Sequence, residues 1–305
     1  MSLRSRSRAW HILVFVGPAL LIYGVFLVYP LVGSLVGSLY QWDGLDIMGW
    51  SGTQNFRRLL SPPFRQQLTN AFTHNCIWFA GIMILENGLG LLLAYLLYQE
   101  MRGHKLFRAA LFVPATLSPI VVGALWRLLL HPTGGIINKV LVGIGLGRFA
   151  MPWLGLPNTA LPVLILVDTW NWIGFPIMVF LAAMNDIPPE ILEASRLDGA
   201  TRWQQFRMIM FPLMWPSITT ISILTFINTF NQFDVVYIMQ GLIGNPMYST
   251  DVLGTMFYRL AFGSQGSSGV GDTGMALSIA TLMLIFIGAG TLFMLRMMQK
   301  RRVNY

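Results

Sequence analysis

Between Glu193 and Pro212 the chain reads Glu-Ala-Ser-Arg-Leu-Asp-Gly-Ala-Thr-Arg-Trp-Gln-Gln-Phe-Arg-Met-Ile-Met-Phe-Pro. This polar, basic island lies between two long apolar runs, and its position decides how the rest of the chain is read. An apolar run of about 20 residues is the length needed to cross a bilayer's hydrocarbon core. Such runs recur along the sequence, so the island is a connection between two crossings. Only 10% of the 305 residues are charged and 55% are hydrophobic, against roughly 25% charged in a soluble domain. The chain is therefore an all-α membrane protein. The alternating segments of a membrane barrel do not stand out.

Six transmembrane helices are predicted, over residues 10–32, 72–98, 109–130, 160–183, 212–232 and 274–296. Arg4, Arg6 and Arg8 before Trp10 look like the charged end of a signal peptide. The apolar run continues past Leu31, too long for a cleaved segment, and is expected to stay as the first span. With both termini inside, 13 of the 20 Lys and Arg residues fall on the cytoplasmic side, in its shorter segments, as the positive-inside rule requires. The net charge of +8 is thus a topology signal and not a nucleic-acid footprint. One cysteine, Cys76, excludes an internal disulfide, and His11, His74, His104 and His131 show no ligand spacing, so no metal site is expected. The organisation expected is a first span with an external loop over 1–70, a core over 71–297 with two short helices at about 187–211, and a basic cytoplasmic tail over 298–305.

The spans carry more than anchors need. Pro18, Pro114, Pro119 and Pro176 fall inside them. Proline removes a backbone donor and bends a helix, which a membrane tolerates only where protein or water satisfies the freed carbonyl. Gly33 and Gly37, with Ser34 and Ser38, form small-xxx-small pairs suited to close helix contact. In the fourth span Asp168, Asn171, Trp172 and Phe175 share one helix face. The fifth repeats the arrangement with Thr225, Asn228, Asn231 and Gln232. Amides and aromatics suit a polyol: donors and acceptors for its hydroxyls, flat faces for its ring. Asn228, Asn231, Asn171, Trp172, Phe175 and Thr225 are the expected substrate path, with interhelical hydrogen bonding as the other use of such groups. Asp168, near the outer end of its span, is expected to cap or pair. Glu86, followed by Asn87, is the deep carboxylate. A proton relay would need a connected series of membrane acids and histidines, so a structural hydrogen bond or helix pairing is the expectation there.

Three long outer segments, 40–71, 131–158 and 233–272, are large enough to make a platform for an external partner. On the inner side, Asp186-Ile187-Pro188-Pro189-Glu190 reads as a helix start, with Asp186 as a possible cap. That helix should close at Asp198-Gly199, with glycine in the left-handed conformation. Thr201 and Gln204 match a capping box for a second short helix, and Pro212 opens the fifth span. Leu192, Ala194 or Ser195, and Leu197 are expected to face a partner's groove, with Glu193 reaching a basic residue on it.

The island is also where a resemblance becomes specific. Glu193-Ala194-Ser195, then Gly199, then Ile209-x-Phe211-Pro212 resembles the EAA signature of permease subunits of binding-protein-dependent ABC importers. Ser195 stands where the family has a second alanine and Phe211 where it has leucine. Tyr29-Pro30, Asn55-Phe56-Arg57-Arg58-Leu59, Leu106-Phe107-Arg108 before Val113-Pro114, and Asn231-Gln232-Phe233-Asp234 are similar to the carbohydrate-uptake branch.

The resemblance implies a type I importer permease fold with a coupling helix between spans four and five. It implies two cytoplasmic ATPase subunits that grip Glu193, Ala194, Ser195, Leu197, Asp198 and Gly199. It further implies a second homologous permease, an external solute-binding protein, and ATP and Mg held by the ATPases. None of Lys105, Lys139 and Lys300 follows a glycine, so no phosphate loop lies in this chain. Two other classes compete. An ion-coupled secondary transporter should show internal repeats and linked membrane acids. An intramembrane enzyme should show a paired nucleophile and base, or metal ligands. Neither pattern stands out. Arg57, Arg58 and Arg127, at or outside the rim, leave an anionic solute open.

Overall fold

The computed structural model describes residues 14–99, 103–263 and 271–299. The start of the first predicted span at Trp10, the base Arg102, the glycine-serine run after Gly263 and the terminal bases from Lys300 lie outside them. Three continuous helices are long and apolar enough to cross a membrane: α1 (Val14–Gly37), α3 (Phe64–Tyr98) and the last helix, which begins at Thr273. Three further spans are bent pairs of helices, giving six.

The chain divides into two compact units. The smaller holds α1, a hairpin of β1 (Tyr40–Asp43) and β2 (Asp46–Trp50), the short helix α2 (Gln54–Leu59), and the residues from Leu260 to Leu282. The hairpin departs from the all-helical expectation. Its signal is Asp43-Gly44, a turn pair between aromatic residues, and Gly44 has φ +61. Tyr40 pairs with Trp50, and a bulge follows Gln41. Asn55 fastens this unit: its side-chain amide donates to the carbonyls of Ser38 and Tyr40, both at 2.8 Å. Gly37 is the small residue of its pair that is used. A Cβ there would lie 2.8 Å from Leu277, whereas Gly33 faces open space. Arg58 pairs with Asp272 at 2.6 Å.

The larger unit carries the bent spans, and each break has a local cause. The third predicted span is α4 (His104–Thr116) and α5 (Pro119–Leu129), meeting at 100°. The residue before a proline is pushed out of the helical region. Ser118 is accordingly extended and caps α5, accepting from the Val121 amide, with Pro119 in the first turn. After α6 (Ile136–Gly143), the fourth span is α7 (Pro157–Trp172) and α8 (Gly174–Asn185), bent by 47°. A Cβ on Gly174 would lie 2.4 Å from the Leu111 carbonyl oxygen, so only glycine allows the two broken spans this approach. Pro176 sits in the opening turn of α8, and Pro162 lies inside α7.

The connecting helix α9 (Pro189–Leu197) leads to α10 (Arg202–Leu213), which bends by 65° into α11 (Trp215–Phe230). Pro212 therefore does not open the fifth span; the break falls at Met214, with Pro216 in the following turn. The outer segments prove to be partly helical, with α12 (Asp234–Gln240) and α13 (Leu253–Phe262) before α14 (Thr273–Gln299).

Two apolar cores hold this unit. One joins Trp78, Val122, Leu164, Val167 and Val236. The other joins Ala94, Ile177, Phe180, Met184, Leu192, Phe206 and Met210. Lipid is as apolar as leucine, so packing and hydrogen bonds set these contacts inside the membrane. Phe72, Phe226, Phe230 and Phe286 interlock by edge and tilted ring contacts 4.8–5.8 Å apart.

Candidate functional site

A cavity of about 450 Å³ opens where the two cores meet, with Ile82 of one and Ile221 of the other in its wall. Trp172, Phe175, Thr225, Asn228 and Asn231 line it, together with Glu86, Asp168, Thr229, Gln232 and Asp234. The bend at Gly174 turns Phe175 toward the same space as Trp172 although they lie on different helices. Asn231 closes α11, its amide donating to the Ile227 carbonyl at 2.9 Å. Asn228 is exposed to the cavity. A wall of amides, hydroxyls and aromatics around a space of this size fits a small polyhydroxylated molecule.

Asn171 goes elsewhere. It is fully buried, and its amide donates to the Pro114 carbonyl at 2.6 Å. That carbonyl sits at the break of the third span and also accepts from the Leu117 N–H, so Asn171 ties the fourth span to the turn where the third one breaks. Asp168 is held by two neutral donors, the Trp78 indole at 3.0 Å and the Gln232 amide at 3.2 Å. Asn87 donates to Thr225 Oγ1 at 3.0 Å. Glu86 and Asn87 sit in a π-helical turn, Met83–Gly88, a local rearrangement frequent at functional sites. Sequence reading set Gln232 in the polar arrangement of the fifth span but left it out of the path, and it missed Thr229 and Asp234 as lining groups. Their signal was the polar stretch at the end of the fifth span.

The second candidate feature is the island. Ile187 and Leu192 belong to the second core, so Leu192 faces inward and not toward a partner. Ser195 is buried as well. Its hydroxyl donates to the Leu192 carbonyl at 2.8 Å and accepts from Gln205 Nε2 at 2.7 Å. These bonds clamp α9 against α10. Asp186 closes α8 and does not cap α9, whose N-cap residue is Pro188. The exit of α9 is as the glycine suggested: Gly199 has φ +82, its N–H bonds the Arg196 carbonyl, and Ala200 N–H bonds the Ser195 carbonyl. That pair of bonds is a Schellman motif. Thr201 and Gln204 complete both halves of the capping box. Tyr95 of α3 packs on Phe206 with ring centroids 4.4 Å apart, and its hydroxyl reaches the Arg202 carbonyl. With the inner face so fixed, Glu193, Ala194, Leu197, Asp198 and Gly199 are left outward, and Leu197 is 90% exposed.

Six spans, helices broken around a polar cavity, and a connecting helix α9 hydrogen-bonded onto the start of the fifth span describe a membrane permease. The chain belongs to the family of binding-protein-dependent transport system inner membrane components, which it matches over residues 86–304. It is an ABC transporter permease, a transport subunit and not an enzyme. It is 33% identical to the lactose transport system permease protein of Rhizobium radiobacter, over 82% of each chain. A probable starch degradation products transport system permease protein of Thermoanaerobacterium thermosulfurigenes is 26% identical, over 98% of this chain and 97% of that one. The fold matches that of a bacterial ABC transporter involved in importing the acidic polysaccharide alginate, with a TM-score of 0.79 at 24% identity, over 97% of this chain and 98% of that one.

Proposed function

We propose that this chain forms half of the path of an ATP-driven importer for a sugar or related polyol. A second, homologous permease supplies the other half, and an external binding protein delivers the solute. Two cytoplasmic ATPase subunits, which hold ATP and Mg, bind the α9 surface of each permease. Both termini then lie in the cytoplasm and the outer segments face the binding protein. Uptake systems for lactose and for starch products among the relatives support the carbohydrate class. The cavity wall of Trp172, Phe175, Thr225, Asn228 and Asn231 agrees with it.

The observation that carries the coupling role is the hydrogen-bonded anchoring of α9 on α10 combined with its bare outer face. Ser195, Gln205 and the capping box fix the helix to α10, so a push on Leu197 moves the base of α11. A loosely tethered loop would absorb that displacement. Asn171 serves transport indirectly, by holding the broken third span against the fourth.

The test is Glu193→Ala in the assembled transporter. Glu193 is exposed, so the chain should fold and insert unchanged. A hydrogen bond to a charged group contributes about 1.5–3 kcal/mol, so solute-stimulated ATP hydrolysis should fall roughly tenfold or more. Stimulation equal to that of the unsubstituted complex would remove Glu193 from the coupling surface.

A further inference from the structure

We infer that the segment between the third and fourth spans is a lipid-binding surface anchor. In it α6 and the turn that follows sit in the leaflet at the ends of those spans, with aliphatic side chains among acyl chains and Lys139 and Arg148 on phospholipid phosphates. One face of α6 is used within the chain. Ile137 packs on the first core, as do Trp153 and Leu154. Asn138 beside it is buried; its amide donates to the Pro132 and Met151 carbonyls at 3.0 and 3.1 Å, and its oxygen accepts from the Trp153 indole at 2.8 Å. That core is built from residues of the spans, Trp78 of α3, Val122 of α5 and Leu164 of α7. The contacts therefore hold α6 down against the span ends. The opposite face is bare: Ile136, Val140, Val142 and Ile144 are each more than half exposed.

A contiguous aliphatic patch marks a surface that something covers, and charge says what. Residues 131–158 include no Asp or Glu. Their Lys and Arg residues, Lys139 and Arg148, are exposed and have no ion-pair partner among the described residues. In the topology proposed above this segment lies outside, where the positive-inside rule leaves few bases. Two bases there without an acid call for an anion from elsewhere. A phospholipid supplies both complements, a phosphate for the cations and acyl chains for the face between them. Aliphatic residues beside Lys and Arg are the pattern of helices that lie in the headgroup boundary. The lysine stem can run along the apolar surface while its ammonium stays at the phosphates. Arg148 lies over the Phe149 ring, 4.7 Å from its centroid, which keeps its charge at the edge of the apolar patch. A protein partner would be anchored chiefly by aromatic side chains, whereas the exposed face of α6 offers isoleucine and valine.

The test uses the assembled transporter in vesicles of phosphatidylethanolamine and phosphatidylglycerol, with Cys76→Ser in this chain and no cysteine in its partners. A nitroxide is attached at Val140→Cys and, separately, at Ile144→Cys. Its collisions with oxygen, which concentrates in acyl chains, and with a neutral nickel chelate, which stays in water, are measured from the saturation of its spin-resonance signal. Both labels are expected to meet oxygen in preference to nickel, at a depth of about 5–10 Å into the headgroup–acyl boundary. Lys139→Glu combined with Arg148→Glu should move both labels toward water, and an unchanged depth would overturn the phosphate contact. A preference for nickel at either site would place the face in water. Weak collision with both probes would mean that protein covers it, the second permease included. Either result overturns the inference. The collisions depend neither on the cargo nor on which side of the membrane faces out, so such a failure leaves the importer reading standing.

Discussion

Replacing Leu197 with lysine is expected to abolish ATP-driven uptake while the chain still folds and inserts. Leu197 is the last residue of α9 and is 90% exposed. It makes little contact with the rest of the chain, so its removal costs the fold little. Lysine in the last turn also suits the negative end of the helix dipole. The effect then falls on the partner. A leucine side chain moving from water into an apolar groove contributes about 1.5–3 kcal/mol. An ammonium group in its place would also have to be desolvated. Together these predict a loss of complex of roughly a hundredfold or more. Co-purification of the ATPase subunits with the permease measures it directly. Undiminished co-purification and uptake would mean that Leu197 faces water throughout the cycle.

The largest expected loss of stability is at Arg259. Its guanidinium binds both oxygens of Asp251, at 3.0 and 2.8 Å, and one of its nitrogens also donates to the Leu242 carbonyl at 2.7 Å. The side chains are 10% and 0% exposed. Asp251 is further tied in by the Thr255 hydroxyl at 2.7 Å, and its carbonyl lies 2.8 Å from His74 Nδ1. Arg259→Ala would leave a fully buried carboxylate without its counter-charge, a cost of about 3–5 kcal/mol. A clear drop in the thermal midpoint of the detergent-solubilised chain is the expected result. The paired change Arg259→Met with Asp251→Leu should recover much of it, because no lone charge remains. If Arg259→Ala melts with the unsubstituted chain, the pair contributes nothing to folding.

Much of this architecture was legible because a bilayer leaves few choices. The apolar runs marked the spans, and Gly199 with Thr201 and Gln204 marked the turn and cap of the island. Burial was harder to read than helix type. Leu192, Ser195 and Leu197 look equally available on a helical wheel. Only the fold shows that Leu192 joins a core and Ser195 bridges to Gln205, leaving Leu197 outside. Prolines announced bends but not their places. Ser118-Pro119 broke the third span as local rules require, whereas Pro162 stayed within α7. The break in the fourth span at Gly174 depends on a neighbour, the Leu111 backbone, which sequence spacing cannot reveal. Asn171 follows from the same cause. Its place on one face with Asp168, Trp172 and Phe175 suggested a shared site, but its amide bonds the Pro114 carbonyl at the break of the third span instead. The hairpin at Tyr40–Trp50 was missed because composition far outweighed one Asp-Gly pair.

The account stands most directly on the source of energy for uptake. Vesicles holding the assembled transporter and its binding protein can be loaded with ATP and Mg, or given a proton gradient without ATP. Lactose and maltodextrins, chosen from the relatives' named uptake systems, are the first solutes to measure. The account predicts accumulation with ATP, none with the gradient alone, and loss of the ATP-driven signal in Leu197→Lys. Accumulation that follows the proton gradient and ignores ATP would contradict it.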